Sequence, residues 1–193
     1  MSYKAILVFG PPGSGKGTWG KMLGEMPNFL HVSSGAMFRA MTDATELERK
    51  AISKIDAGYL VPDEMAMDIW RQHMETLVDM EVLDPVNDCV ILDGLPRTWV
   101  QAEMVDTDLN ISLILSLDCA DRSVLLERLL KRAKTENRND DTEETIQKRF
   151  EVYDAQTVET LSHYQAGIIY KIDVALPPHL IFKSIGDALA AGL

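Results

Sequence analysis

The stretch YKAILVFGPPGSGKGT, residues 3–18, runs from an unbroken apolar segment into four glycines, Gly10, Gly13, Gly15 and Gly17, set around Lys16. An apolar run bounded by glycine predicts a strand buried on both faces, and the residues from about Thr18 onward predict a helix. A glycine loop between a strand and a helix N-terminus is a phosphate cradle. Without Cβ atoms its backbone N–H groups converge on the anion, the helix points its positive end at it, and Lys16 adds a mobile charge. The common form of such a loop carries a hydroxyl directly after the lysine. Here that position is Gly17, and the hydroxyl arrives one residue later, at Thr18.

Outward from the loop, 29–32, 89–93, 111–118 and 168–173 read as further strands, with helical patterns over 19–26, 35–57, 63–80, 97–105, 121–134, 141–166 and 178–191. This alternation predicts an α/β fold, a five-stranded parallel sheet flanked by helices. The chain has 193 residues, 46% of them hydrophobic, which suits one domain with a sizeable core. No apolar run approaches the ~18 residues of a membrane span, and the N-terminal run is too short for a signal peptide, so a cytoplasmic protein with no membrane partner is expected. A net charge of −11 argues against nucleic acid as a partner, because phosphate backbones are bound by basic surfaces. An anionic ligand must therefore find a local basic pocket. Cys89 and Cys119 stand alone, without neighbouring cysteines or histidines, and predict neither a disulfide nor zinc. His31, His73, His163 and His179 read as surface or structural residues.

The displaced threonine makes GPPGSGKGT (10–18) similar to the loop of nucleoside monophosphate kinases, and of adenylate kinases in particular, a family with glycine after the lysine and threonine next. The resemblance recurs in order along the chain. SSGAMFR (33–39) resembles S-T-G-D-x-x-R, GYLVPDE (58–64) resembles G-x-L-V-P-D-E, DGLPRTWVQA (93–102) resembles D-G-F-P-R-T-x-x-Q-A, and 128–149 resembles the lid segment. The resemblance implies a P-loop kinase fold whose core (1–33, 64–131 and 141–193) carries a helical monophosphate-binding excursion at 34–63 and a short lid at 132–140. It also implies Mg²⁺-dependent, reversible phosphoryl transfer from ATP to AMP giving two ADP, in a monomer without zinc.

The residues support that chemistry independently. Phosphoryl transfer between nucleotides crowds several negative charges together, so the site must be a charge-neutralising clamp, and forked, permanently charged arginine suits it. Six of the nine arginines (Arg39, Arg97, Arg128, Arg132, Arg138 and Arg149) fall inside the similar blocks. Residues 128–149 hold seven basic against five acidic side chains, a net positive stretch in an acidic chain. A catalytic base is not required, because a phosphate acceptor with a second pKa near 6 is already mostly deprotonated at pH 7.

By resemblance, Gly13, Ser14, Gly15, Lys16, Gly17, Thr18, Arg128 and Arg132 hold ATP, and Arg128, Arg132, Arg138 and Arg149 surround the transferring group. Arg39 and Arg97 hold the AMP phosphate, in a pocket with Ser34, Gly35, Leu60, Val61, Met65, Gly94, Gln101, Arg138 and Arg149. Mg²⁺ is held mainly through phosphates and water, assisted by Thr18 and Asp93. Gln101 offers a donor and an acceptor together to a purine edge. Thr98 stands where relatives that use UMP or CMP carry Asn. A UMP/CMP kinase, or a nucleotide-sensing regulator that keeps the site without useful turnover, are the alternatives. The chain departs from the pattern at Trp19, Ala36, Leu95, Ala133 and Asn137; Ala133 in place of glycine is expected to prolong the helix before the lid.

Overall fold

A computed structural model describes residues 2–41, 46–57, 59–136 and 142–193. Five parallel strands, β1 (Tyr3–Phe9), β2 (Phe29–Ser33), β3 (Cys89–Asp93), β4 (Leu109–Asp118) and β5 (Ile169–Asp173), form one sheet in the order β2-β3-β1-β4-β5. The helices are α1 (Lys16–Gly24), α2 (Ser34–Arg39), α3 (Glu46–Asp56), α4 (Asp63–Asp79), α5 (Trp99–Asp108), α6 (Arg122–Glu136), α7 (Glu143–Val152), α8 (Val158–Thr160) and α9 (Pro178–Gly192). This is the expected P-loop kinase architecture.

The continuous apolar runs of the central strands follow from burial on both faces. On β1, Ala5, Leu7 and Phe9 pack with Trp70 and Met74 of α4 and Val105 of α5, while Ile6 and Val8 pack with Leu23, Leu125, Phe150 and Ile185 on the other side. Successive side chains of a strand alternate between faces, so one run of seven residues serves two cores. β1 lies between β3 and β4, and Val8 pairs with Asp93. The glycine loop after β1 and the Asp93–Gly94 exit from β3 therefore open side by side at the carboxyl edge of the sheet, where open α/β folds bind ligands.

Three helical expectations change in detail. The 35–57 pattern is two helices: α2 ends at Arg39, capped by Ala40, whose N–H returns to the carbonyls of Ala36 and Met37. The helix expected from 97 begins at Trp99, because Thr98 is extended and its hydroxyl accepts the N–H of Gln101. The 141–166 pattern is broken after Val152 by a π turn, Tyr153–Thr157, then α8 and a 3₁₀ turn. α6 runs through Arg132 and Ala133 to Glu136, as the alanine predicts. Gly58, Asn137, Arg138, Asp140 and Asp141 lie outside the described residues.

Candidate active site

The loop is built by its backbone. Gly15 adopts φ 89° and ψ 17° as the residue before α1, a left-handed conformation that glycine accepts without a Cβ penalty. At Gly13, with φ +80°, a Cβ would meet the Leu125 carbonyl oxygen at 2.7 Å, so α6 packs directly on the loop. No side chain caps the N-terminus of α1, which leaves its first N–H groups facing the loop's concavity. The Lys16 ammonium folds back over this concavity, donating to the carbonyls of Gly10 at 2.7 Å and Pro11 at 3.1 Å. Ser14 Oγ is buried with no hydrogen-bond partner.

Around Lys16 the fold concentrates positive charge. Withdrawal from water pushes the lysine down to about 8; the Asp93 carboxylate opposes that shift, and Arg97, Arg149 and Arg132 add to it. Arg97 is likewise lowered, to about 10, by desolvation first and then by Arg149, with Asp93 opposing and Arg39 adding. Residues from α1, α2, the β3–α5 turn, α6 and α7 thus bring their cations within reach of one another. Such mutual repulsion is relieved by a polyanion. Arg128 stands apart. Its Nη2 donates to the Val174 carbonyl at 2.8 Å, beyond the end of β5, whereas Arg132, four residues on, acts on Lys16.

Beside the loop is a cavity partly open to solvent. Arg39, Arg97 and Arg149 line it with Gly35, Gly94 and Gln101, and Phe38, Ile55, Leu60, Val61 and Leu95 supply apolar wall. Ser34 Oγ is buried and unpartnered, pressed so close to Gly94 that a Cβ there would overlap it. Met65 lines a neighbouring groove with Arg49, Lys54 and Pro62 instead of the cavity. Gln101 is 2% exposed, which sets aside an exposed helix glutamine. Its side-chain oxygen accepts the Arg97 N–H at 2.8 Å, and its amide nitrogen donates to Asp63 Oδ1 at 2.9 Å.

Asp93, 7% exposed, closes the site from the β3 side. Burial alone would raise its carboxyl, but neighbouring His31, Lys16 and Arg97 outweigh that and hold it below the usual carboxylate range. It is therefore ionised at neutral pH. A Cβ built on Gly17 would lie in ordinary contact, 3.6 Å, with Asp93 Oδ2, so position 17 sits directly against an ionised carboxylate. A hard divalent cation carried on phosphate oxygens and water suits that carboxylate donor. Thr18 is exposed one residue further along α1.

Sequence reasoning missed three supports. His31 stands 3.7 Å from Asp93 Oδ2 and so close to Gly20 that a Cβ there would overlap its ring. Thr157, in the π turn, donates to the Arg97 carbonyl at 3.0 Å. Asp63 receives both Thr98 Oγ and Gln101 Nε2. Only Asp63 carried a signal, within the 58–64 block; the other two depend on long-range approach.

A glycine cradle with its lysine and an arginine-walled cavity, opening together at the carboxyl edge of a β2-β3-β1-β4-β5 sheet, define a P-loop phosphotransferase with two adjoining anion sites. Comparison with known proteins narrows this class. The family described as adenylate kinase matches residues 8–169. Similar proteins named adenylate kinase occur in Porphyromonas gingivalis (41% identical, covering 79% of this chain and 77% of the relative), Thermobifida fusca (38%, 89% and 90%) and Rhodopirellula baltica (34%, 95% and 94%). The chain belongs to the adenylate kinase family.

Proposed function

We propose that the chain transfers the γ-phosphoryl group of ATP to AMP, reversibly, giving two ADP, and that its two anion sites divide this work. The observation that carries the reading is the placing of the Lys16 ammonium over the glycine loop beside a cavity lined by Arg39, Arg97 and Arg149, a cluster of cations that the phosphates of two nucleotides would neutralise. Gly13 to Thr18 with Lys16 hold the β- and γ-phosphates of ATP. Arg39 and Arg97 hold the AMP phosphate, and Arg132 and Arg149 stabilise the charge developing between the two. Arg128, turned toward Val174, serves the ATP side rather than the transferring group. Arg138, outside the described residues, is assigned to the transferring group by resemblance alone. Leu60, Val61, Gly35 and Gly94 wall the acceptor pocket, Ser34 supports it from behind Gly94 without lining it, and Gln101 reads the adenine edge.

Mg²⁺ would be held on the phosphates and water beside Gly17, with Asp93 and Thr18 ordering its water shell, and would neutralise charge during transfer. The excursion at 34–63 and the lid at 132–140 close over the nucleotides to exclude water, and the enzyme acts as a cytoplasmic monomer. Among the described residues no helix is long and apolar enough to cross a membrane.

Two measurements address these assignments. Gln101→Ala is expected to weaken discrimination between AMP and CMP by roughly 1–3 kcal/mol, the loss of a buried hydrogen bond to the base. An unchanged AMP-to-CMP ratio of kcat/KM would remove Gln101 from base recognition. The depressed lysine gives a second test. The folded value of about 8 lies below the ordinary 10.5, so the unfolded state binds more protons between these values and the chain gains stability as pH rises through them. A bound polyphosphate favours the ammonium and reverses the depression. ATP binding at pH 8 should therefore take up about half a proton, seen as a dependence of calorimetric enthalpy on buffer ionisation heat. Equal enthalpies in phosphate-free buffers of different ionisation heat would contradict a depressed Lys16 facing the phosphates.

A further inference from the structure

We propose that Asp63 determines which bases the acceptor cavity admits, by locking the Gln101 amide in one of its two orientations; this rests on the reading of Gln101 as the base-contacting residue. Asp63 opens α4 and Gln101 lies in the first turn of α5, yet Asp63 Oδ1 accepts Gln101 Nε2–H at 2.9 Å and Thr98 Oγ–H at 2.8 Å. Thr98 Oγ in turn accepts the Gln101 backbone N–H at 3.2 Å, and Gln101 Oε1 accepts the Arg97 N–H at 2.8 Å. An ionised carboxylate only accepts, and a backbone N–H only donates. Turning the amide by half a rotation would set its oxygen against the carboxylate and its NH₂ against the Arg97 N–H. Both contacts would become repulsive, at a side chain 2% exposed where water cannot intervene.

A side-chain amide has two N–H donors and two acceptor lone pairs, and this lock uses one of each. The remaining N–H and lone pair stay on fixed sides of a residue that lines the cavity. A 6-aminopurine presents an N–H donor beside a ring-nitrogen acceptor; a 6-oxopurine presents the reverse on the same edge. A freely turning amide would serve both. A locked one serves a single pattern, so Asp63, which is not part of the cavity wall, sets amino-against-oxo selectivity through Gln101. It is a positioning residue. Reach to Gln101, rather than Asp63, separates adenine from cytosine, because the smaller pyrimidine carries the same amino pattern closer to its sugar and away from the amide.

The test compares AMP with IMP, purines of the same size, in full-length wild type, Asp63→Asn and Gln101→Ala. An asparagine of the same shape can turn its own amide to donate to a reversed Gln101, which removes one of the two repulsions and leaves that at the Arg97 N–H, so Asp63→Asn is expected to lower the AMP-to-IMP ratio of kcat/KM several-fold while leaving the KM for ATP unchanged. Asp63→Ser, smaller and neutral, provides a second version should the first fold poorly, and Glu64 keeps an acidic residue in the first turn of α4. If Gln101→Ala lowers the ratio and neither Asp63 variant does, the lock is wrong and Asp63 is only a helix-terminal contact. If Gln101→Ala leaves the ratio unchanged, the base-contact reading fails, and the lock fails with it. A parallel loss for AMP and IMP in Asp63→Asn would also overturn the proposal, because a purely structural role moves both alike.

Discussion

Arg97→Ala is expected to lower kcat for ATP and AMP by on the order of 10³-fold without lowering thermal stability. The guanidinium lines the cavity, donates through Nε to the Gly94 carbonyl at 2.7 Å, and carries a pKa pulled down to about 10 by desolvation and then by Arg149. It is held where its charge is costly in the free protein, the signature of a group placed for an anion rather than for the fold. The backbone contacts at position 97 survive the change, since the N–H to Gln101 and the carbonyl to Thr157 belong to the main chain. Removing the charge should also let the Lys16 pKa rise, because Arg97 is one of the cations depressing it. Near-normal kinetics in Arg97→Ala, or a collapse of the melting temperature with activity per folded molecule retained, would remove Arg97 from the acceptor clamp.

Lys16→Met is expected to abolish transfer to a similar degree and to weaken ATP binding, with little loss of stability. The ammonium's present partners are loop carbonyls, Gly10 and Pro11, both positioned so that the charge hangs over the cradle. Methionine keeps the unbranched stem and drops the charge. Burial of that charge opposes folding below pH 8, so its removal offsets the two lost hydrogen bonds. Calorimetric titration with ATP and steady-state rates check both halves. ATP-dependent transfer persisting in Lys16→Met would show that the loop does not grip the transferred phosphate.

The legible part of this molecule is the part written in local chemistry. Tyr3–Phe9 reads as a doubly buried strand because nothing in it needs water, and the glycines after it leave few alternatives to an anion loop. The arginines could be gathered from spacing and resemblance, and Arg39, Arg97 and Arg149 do line one cavity. What could not be read depends on where distant segments meet. Periodicity over 141–166 cannot reveal that a π turn inserts Thr157 beneath the Arg97 carbonyl, since inserted turns of this kind leave the apolar pattern nearly intact. Arg128 and Arg132 share a helix face by sequence, yet the long arginine side chain lets Arg128 reach Val174 while Arg132 acts on Lys16. Met65 directly follows the 58–64 block but, in the first turn of α4, faces the neighbouring groove. His31 gave no sign of its place against Asp93, because a histidine in an apolar strand is usually structural.

The most direct measurement is a transfer assay of the purified chain with ATP and Mg²⁺ against AMP, CMP, UMP, GMP and IMP in turn, following formation of both nucleotide products. Stoichiometric conversion of ATP and AMP to two ADP, with kcat/KM for AMP at least about tenfold above every other acceptor, is the expected result. Comparable or higher kcat/KM with UMP or CMP would make the acceptor cavity a pyrimidine site. Tight binding of ATP and AMP without measurable ADP formation would contradict phosphoryl transfer itself and leave a nucleotide sensor in its place.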